Sequence, residues 1–205
     1  MRSTSTRRSA TRRRLYEAAV ALIAEQGFSS TTVDQIAERA GVAKGTVYYN
    51  FASKTELFEA LLRDGVAPLV RGLRQAARAE LDRGGRCLDA LDAMTGAGLA
   101  FIAAHPDVTR LLVSEQWRTG RAWSPTVGKL RAEVAGVVED VLEQGVKAGE
   151  LDEGLDVPLT AGGLVGLVMA GALDWRSFYP ARPLEDVHAA LSALLRGRLA
   201  GGGRA

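Results

Sequence analysis

The sequence predicts an all-α protein of about nine helices, and three observations lead to that prediction. Apolar residues recur three and four positions apart almost throughout the chain, no run alternates as a strand would, and capping residues and glycines separate the helical segments. Hydrophobic residues make up 47% and charged residues 24% of the 205 residues, the range of an ordinary globular protein. The chain is long enough to bury a sizeable core.

The first three helices are predicted from local signals. An amphipathic helix of about 16 residues ends at Gly27, where its apolar stripe stops. Thr32 and Gln35 have the spacing of a capping box and open a short second helix, which Gly41 ends. A third helix covers residues 44–50.

Six further helices complete the predicted fold. The first of them is long, begins at Ser53 in a second capping box and continues to Leu81. Pro68 lies inside it and should kink or break it. The remaining five are predicted near residues 88–105, 108–112, 124–147, 157–177 and 183–195.

Composition indicates in which cellular compartment the protein works. The uncharged stretch Val157–Leu173 is shorter than the ~20 residues of a membrane span, so a buried helix is predicted there. No apolar run follows the N-terminal arginines, so we expect no secretory signal and a cytoplasmic protein with no membrane association. Cys87 is the single cysteine, and zinc-site spacings are absent, so we expect no disulfide, metal or cofactor.

The net charge of +2 hides an asymmetry along the chain. Residues 1–60 carry +3 and the remainder −1, and residues 1–14 hold six arginines and no acid. A basic end on a near-neutral body favours a polyanionic partner. The alternative is a solvated tail in a chain whose basic residues are mostly arginine.

The segment GVAKGTVYYNF, residues 41–51, concentrates residues suited to a nucleic acid. Two short helices joined by a glycine-containing turn indicate a helix-turn-helix, whose second helix enters the major groove. A threonine there can bond a base edge, while lysines and tyrosine hydroxyls contact phosphates. A surface helix pair without function is the alternative on the pattern alone. The candidate DNA-binding residues are Thr32, Lys44, Gly45, Thr46, Tyr48, Tyr49, Asn50 and Lys54.

The run GFSSTTVDQIAERAGVAKGTVYYNFASKTELF, residues 27–58, closely resembles the DNA-binding region of the TetR family of bacterial transcriptional regulators. It has the Gly-aromatic pair, Thr-Thr, Ile-Ala, Ala-Gly-Val, Lys-Gly-Thr, the Tyr pair, and Ser-Lys-x-x-Leu. Asn50 departs from it, since the family often has His there, although Asn can still bond a phosphate or adenine. The resemblance implies an all-helical homodimer. It also implies that operator DNA is touched by Thr32, Lys44, Gly45, Thr46, Tyr48, Tyr49 and Lys54.

These observations predict three parts of the chain. Residues 1–8 form a disordered basic tail, and residues 9–69 form the DNA-binding domain with its motif at 32–51. Residues 70–205 form a helical domain for ligand binding and dimerisation, as the resemblance implies.

The C-terminal part offers a pocket and an interface as hypotheses. Ligand pockets are mostly apolar and aromatic, although core packing is the simpler interpretation of any single such residue. The small residues near 162–171 and the leucines of the last helix favour a homodimer through helices near 158–177 and 183–199. The candidate ligand-binding residues are Met94, Phe101, Trp117, Trp123, Met169 and Trp175.

The prediction for function is a ligand-responsive DNA-binding regulator, a repressor released from a palindromic operator by a hydrophobic or aromatic small molecule. The resemblance implies that the long helix from Ser53 connects ligand binding to DNA binding. One alternative is a constitutive DNA-binding dimer without a ligand. An enzyme is the more distant alternative, because no nucleophile–base pair or paired carboxylates emerge, so we expect no enzymatic activity.

Overall fold

The structure, a computed structural model, describes residues 3–116 and 120–197, and side chains from residue 10 onward except that of Gln116. Within these ranges it contains nine α-helices and no strand, which confirms the all-α prediction. The helices are α1 (Ser3–Gln26), α2 (Val33–Arg39), α3 (Lys44–Asn50), α4 (Lys54–Leu81), α5 (Cys87–Ala104), α6 (Pro106–Gln116), α7 (Ser124–Lys147), α8 (Val157–Phe178) and α9 (Leu184–Leu195).

The described residues divide into two compact units. One takes those of residues 1–66 and 105–130, and the other those of 67–104 and 131–205. This differs from the predicted boundary between residues 69 and 70, because α6 and the start of α7 pack with the N-terminal helices. The functional division of the chain at that boundary stays a prediction.

In the first unit, α1 packs against α2 and α6, and α2 packs against α3. Gly65 of α4 marks a close approach. A Cβ atom there would lie 2.7 Å from Tyr16 Oη and 3.0 Å from Val108 Cγ1. The missing side chain therefore lets side chains of α1 and α6 pack directly on α4.

The helix α1 begins earlier than the sequence predicted. It starts at Ser3, so helix covers most of the segment 1–8 that we predicted to be a disordered tail. Arginine is a good helix former, and the basic segment contains no glycine or proline that would stop the helix.

Pro68 does not break α4, which runs without interruption from Lys54 to Leu81. A proline removes one helical N–H and crowds the carbonyl four positions earlier, here that of Asp64. Both Pro68 and Asp64 are exposed, so water can hydrate that carbonyl. The helix therefore continues through the proline, and of the two predicted outcomes the break is wrong.

In the second unit, α5 packs against both α8 and α9. Leu99, Ile102, Ala172 and Leu191 form a buried cluster. A Cβ atom on Gly171 would lie 3.0 Å from Leu191 Cδ2, so a small residue is needed where α8 meets α9. Leu191 is therefore an internal core residue of the chain.

A polar network also joins α9 to the start of α5. Arg196 Nη2 donates to Asp89 Oδ1 at 2.8 Å and to Asp92 Oδ2 at 3.3 Å. His188 Nε2 lies 3.1 Å from Asp92 Oδ1. The hydrogen bond from Arg196, with a further one from the Arg86 backbone, holds the pKa of Asp89 below its usual range. Charge and apolar packing thus both hold α9 on α5.

The helix α8 is mostly not buried in the single chain, so the burial predicted for Val157–Leu173 is not provided by the chain itself. Only Ala161 and Ala172 are buried along it, while Leu159 is 74% and Phe178 72% exposed. By length and composition alone, α5 and α8 could cross a membrane, a test that core helices of soluble proteins also pass. The exposed apolar face of α8 is a large unpartnered surface.

Candidate nucleic-acid interface

Caps at both ends fix the bounds of α2 and the start of the turn that leads to α3. Thr32 Oγ1 accepts from the Gln35 backbone N–H at 3.2 Å, and Gln35 Oε1 accepts from the Thr32 N–H at 2.8 Å, which confirms the predicted capping box. Gly41, with φ of +62°, ends the helix, and the Val42 N–H reaches the Ala37 carbonyl at 2.9 Å. This Schellman motif turns the chain toward α3.

The helix α3 separates an inner from an outer face. Val47 and the following Phe51 are buried against the unit, whereas Tyr48 is 50% and Tyr49 77% exposed. Gly45 is exposed on the same helix. Two large aromatic side chains held in solvent are unusual for a folded chain, and they suit contact with a polyanionic partner.

The two lysines predicted to meet phosphates both have partners within the chain. Lys44 Nζ lies 2.8 Å from Asp34 Oδ1, and this hydrogen bond and charge raise the pKa of Lys44. Lys54 Nζ donates to the Phe28 carbonyl and lies 4.1 Å from the centroid of the Phe28 ring. Partial burial lowers the pKa of Lys54. Neither partner was predicted from the sequence.

Thr46 and Asn50 are coupled and half-buried. Asn50 Nδ2 donates to the Thr46 carbonyl at 2.7 Å, and Asn50 Oδ1 is buried with no hydrogen-bond partner among the described residues. The asparagine therefore folds back on α3 instead of extending beside the tyrosines. An accepting oxygen remains for a water molecule or another donor.

Two arginines of α1 reach the ends of this motif. The guanidinium carbon of Arg12 lies 5.2 Å from the Phe51 ring centroid, and Arg12 Nη2 lies 3.8 Å from Asp64 Oδ2. Arg14 Nη1 would lie 3.9 Å from a Cβ atom on Gly41, in the turn between the short helices. The basic character of the N-terminus therefore continues onto the surface around the motif.

An aromatic cluster of Phe28, Phe58 and Trp123 lies behind the motif and was not predicted as such. The ring centroids of Phe28 and Phe58 are 4.8 Å apart, those of Phe28 and Trp123 4.2 Å, and those of Phe58 and Trp123 4.7 Å. The Trp123 indole N–H donates to buried Glu115 Oε2 at 2.9 Å. Three aromatic residues far apart in sequence gave no local signal that they would meet.

The six candidate ligand residues fall in different places. Met94 is buried in α5, and Phe101 packs beside the Leu99 cluster. Trp123 belongs to the first unit, while the half-buried Trp175 donates its indole N–H to the Arg182 carbonyl at 2.8 Å. Met169 is half-buried in α8, and Trp117 lies outside the described residues.

A surface groove of about 530 Å³ lies in the second unit, between the C-terminal halves of α4 and α7. Its lining combines apolar residues with arginines from α4 and with acidic residues and Lys147 from α7. None of the five candidate ligand residues that the structure describes lines it. The described residues also contain no group of three His, Cys, Asp or Glu side chains able to hold a metal ion.

The sequence matches two family profiles. Residues 15–61 match the profile described as bacterial regulatory proteins of the tetR family, and residues 88–160 match a tetracyclin repressor-like C-terminal domain. The transcriptional repressor KstR2 of Rhodococcus jostii (strain RHA1) is 30% identical over 157 residues, which cover 74% of this chain and 73% of that protein.

Solved structures confirm the fold. FadR from Bacillus subtilis, in complex with stearoyl-CoA, superposes with a TM-score of 0.79 at 21% identity, covering 89% of this chain and 96% of that one. AibR, in complex with isovaleryl coenzyme A and operator DNA, gives a TM-score of 0.71 at 16% identity, covering 90% and 97%.

Proposed function

The chain belongs to the TetR family of bacterial regulatory proteins, and on that premise we propose that it is a dimeric repressor that leaves its operator when a hydrophobic ligand binds. Regulators of this family bind operator DNA and small molecules and form dimers. Its relatives are transcriptional regulators and not enzymes, and soluble regulators of this kind are typically cytoplasmic. The protein is therefore a DNA-binding transcriptional regulator.

The outward face of α3 carries this proposal. Tyr48 and Tyr49 project from a short helix whose other face is buried through Val47. For the DNA contacts we propose two classes. Thr46 reads a base edge in the major groove, and Gly45 lets the backbone approach it. Phosphate contacts come from the N-terminus of α2 at Thr32 and from Lys44, Tyr48, Tyr49 and Lys54.

Asn50 is proposed as an indirect contributor. Its side chain fixes the C-terminal end of α3 through the Thr46 carbonyl, and its buried oxygen has no hydrogen-bond partner among the described residues. Replacement by alanine would loosen α3 and leave the Thr46 carbonyl without this donor.

We propose that the dimer forms through the exposed faces of α8 and α9. Leu159 and Phe178 of α8 and Leu194 of α9 are apolar and exposed in the single chain. A twofold dimer would present two copies of α3 to half-sites about one helical turn apart, ~34–36 Å. The apolar composition of α8 is then explained by the partner subunit.

For the ligand we propose a hydrophobic acyl compound, with acyl-coenzyme A thioesters as the first class to test. FadR and AibR were both crystallised with such thioesters, which supports the choice although their sequence identity to this chain is low. Met94, Phe101, Met169 and Trp175, which all belong to the second unit, are proposed to line its site. Trp123 is a weaker candidate, because Phe28 and Phe58 already cover its ring.

The test begins with selection of a preferred duplex from a random library. We expect a palindromic sequence that Lys44→Ala/Tyr49→Ala protein binds at least tenfold more weakly than the unaltered protein. The complex is then titrated with acyl-coenzyme A thioesters of increasing chain length, with free coenzyme A as the control. Unchanged affinity in the double variant would refute the DNA interface, and release by hydrophilic compounds alone would refute the ligand class.

The same titration distinguishes a ligand-released repressor from a DNA-binding dimer that has no ligand. A protein that binds its selected duplex and is released by no acyl compound, free fatty acid or aromatic acid would be a DNA-binding dimer without this kind of ligand. A near-complete switch needs a ligand that prefers the released state by up to ~5.5 kcal/mol. Burial of an acyl chain at ~25 cal/mol per Å² can supply several kcal/mol of that preference.

A further inference from the structure

The Phe28 ring lies between a proposed DNA contact and a buried tryptophan. One side of it carries Lys54, with Nζ 4.1 Å from the ring centroid, and the Trp123 ring packs against it at 4.2 Å and 55°. Phe58 completes the cluster from α4. Phe28 lies in the turn between α1 and α2, where no helix holds its side chain in place.

Trp123 is itself fixed from two sides. Its ring is only 4% exposed, and its indole N–H donates to buried Glu115 on α6. The backbone around it is also fixed, since the Val127 N–H donates to the Trp123 carbonyl at 3.0 Å in the first turn of α7. A tryptophan held at both its ring and its backbone is a rigid support for Phe28.

We propose that Trp123 is a positioning residue for Lys54 in DNA binding, because it holds the Phe28 ring against which the ammonium group rests. The inference depends on the proposed role of Lys54 as a phosphate contact. An ammonium group has three N–H donors, and the Phe28 carbonyl uses one of them. The ring face attracts the cation without consuming a donor, so two donors remain for phosphate.

This contact has a consequence for the segment between α6 and α7. Trp123 lies outside the helix-turn-helix, yet through the Phe28 ring it supports Lys54, a proposed phosphate contact at the start of α4. A change at Trp123 would alter this phosphate contact and leave base recognition by Thr46 intact. Affinity would then change for all sequences together.

The first experiment needs no DNA. The protein has four lysines, so the 13Cε resonances can be assigned and titrated in full-length protein. In unaltered protein we expect the pKa of Lys54 to lie below that of Lys44. In Trp123→Leu, which removes the ring but keeps apolar bulk, the pKa of Lys54 should move toward the ordinary lysine value. Trp123→Phe, which keeps a ring, should retain most of the effect.

The second experiment measures DNA affinity as a function of salt. Lys54→Ala should weaken binding to every duplex, about tenfold, and reduce the slope of log affinity against log salt by about one per subunit. Trp123→Leu should reproduce both changes, and the double variant should be no weaker than Lys54→Ala alone. Val108→Ala, a buried truncation in the same unit, is the control for loss of stability and should leave the slope unchanged.

The outcomes separate the inference from the function it depends on. An unchanged pKa of Lys54 in Trp123→Leu, or effects of the two variants that multiply, would overturn the positioning role even if the protein binds its operator well. A protein that selects no duplex would refute the proposed function, and the lysine titration would still decide whether Trp123 positions Lys54.

Discussion

Lys44 Nζ lies 2.8 Å from Asp34 Oδ1, so the cation that opens α3, the proposed recognition helix, is paired with a carboxylate of α2 in the DNA-free chain. A phosphate that reaches Lys44 must displace this carboxylate or lie beside it. If Lys44 contacts a phosphate as proposed, we expect Asp34 to act against DNA affinity, because like charges at an interface repel.

Neutralising that carboxylate should strengthen DNA binding. We expect Asp34→Asn to bind all duplexes roughly three- to tenfold more tightly, with the gain largest at low salt, because Lys44 is released and a repulsive charge is lost. Glu38→Gln, the same change on α2 without a bond to Lys44, is the matched control for net charge. Equal effects of the two variants would show that the Lys44–Asp34 contact has no special role.

Tyr49 and Thr46 should respond in different ways to substitution. Tyr49→Ala should weaken binding to all sequences by a similar factor and leave thermal stability unchanged, because the side chain is 77% exposed. Thr46→Val keeps the shape of the side chain but removes the hydroxyl. The free-energy preference for one base at one position of the duplex should therefore fall by roughly 1–3 kcal/mol. Library selection with each variant tests this, and a uniform loss for Thr46→Val would contradict it.

Gly65→Ala tests the close packing of α1 and α6 on α4. A helical Gly→Ala change gains ~1 kcal/mol from propensity, whereas overpacking costs ~1–3 kcal/mol. Because Tyr16 Oη is 2.7 Å from the new Cβ, we expect a net loss of unfolding free energy. In a Tyr16→Phe background the loss should shrink, since the crowded atom is gone. Denaturant unfolding of all four proteins gives the coupling, and strict additivity would argue against the contact.

Stability at alkaline pH should depend on Tyr16. Burial, and then the charge of Asp64, raise its pKa to about 12. The unfolded chain loses this proton near pH 10, before the folded chain does. The contribution of Tyr16 is therefore full below pH 10 and is lost as pH rises toward about 12. Tyr16→Phe should show a shallower fall of unfolding free energy over that range, and a parallel fall would refute the assignment.

The interface prediction needs different residues from those the sequence suggested. Leu191 is buried within the chain, so replacing it should destabilise the monomer by ~2–5 kcal/mol and cannot test assembly. Leu159 and Leu194 are 74% and 36% exposed, and arginine at both should yield monomers without a large loss of folding stability. Sedimentation at several concentrations decides this, and a dimer that persists at micromolar concentration would locate the interface elsewhere.

The elements with local signals were predictable from the sequence. The bounds of α3 and the capping box of α2 follow from residues within a few positions of each other, and the structure has them as predicted. Contacts between distant segments were not predictable. The pairing of Phe28 with Trp123 left no periodic pattern. The partner of Lys54 depends on how the turn before α2 packs, and that of Lys44 on how α3 packs on α2.

The helix α8 shows a second limit of sequence reasoning. An uncharged run predicts burial, but the sequence does not say whether the cover is the same chain or another one. In the single chain no described residue buries Leu159 or Phe178, and both side chains are exposed to solvent. The starting point of α1 was also missed, because arginines at a chain end are compatible with either helix or disorder.

The membership of residues 105–130 in the first unit bears on how the protein is made. Phe28 and Phe58 leave the ribosome long before Trp123, and until then their apolar surfaces lack the third member of the cluster. The unit that carries the recognition helix can therefore be completed only after residue 130 has been synthesised. Such late closure slows folding and leaves aromatic surface open to chaperones on the nascent chain. A fragment that ends before residue 105 would keep that surface open permanently.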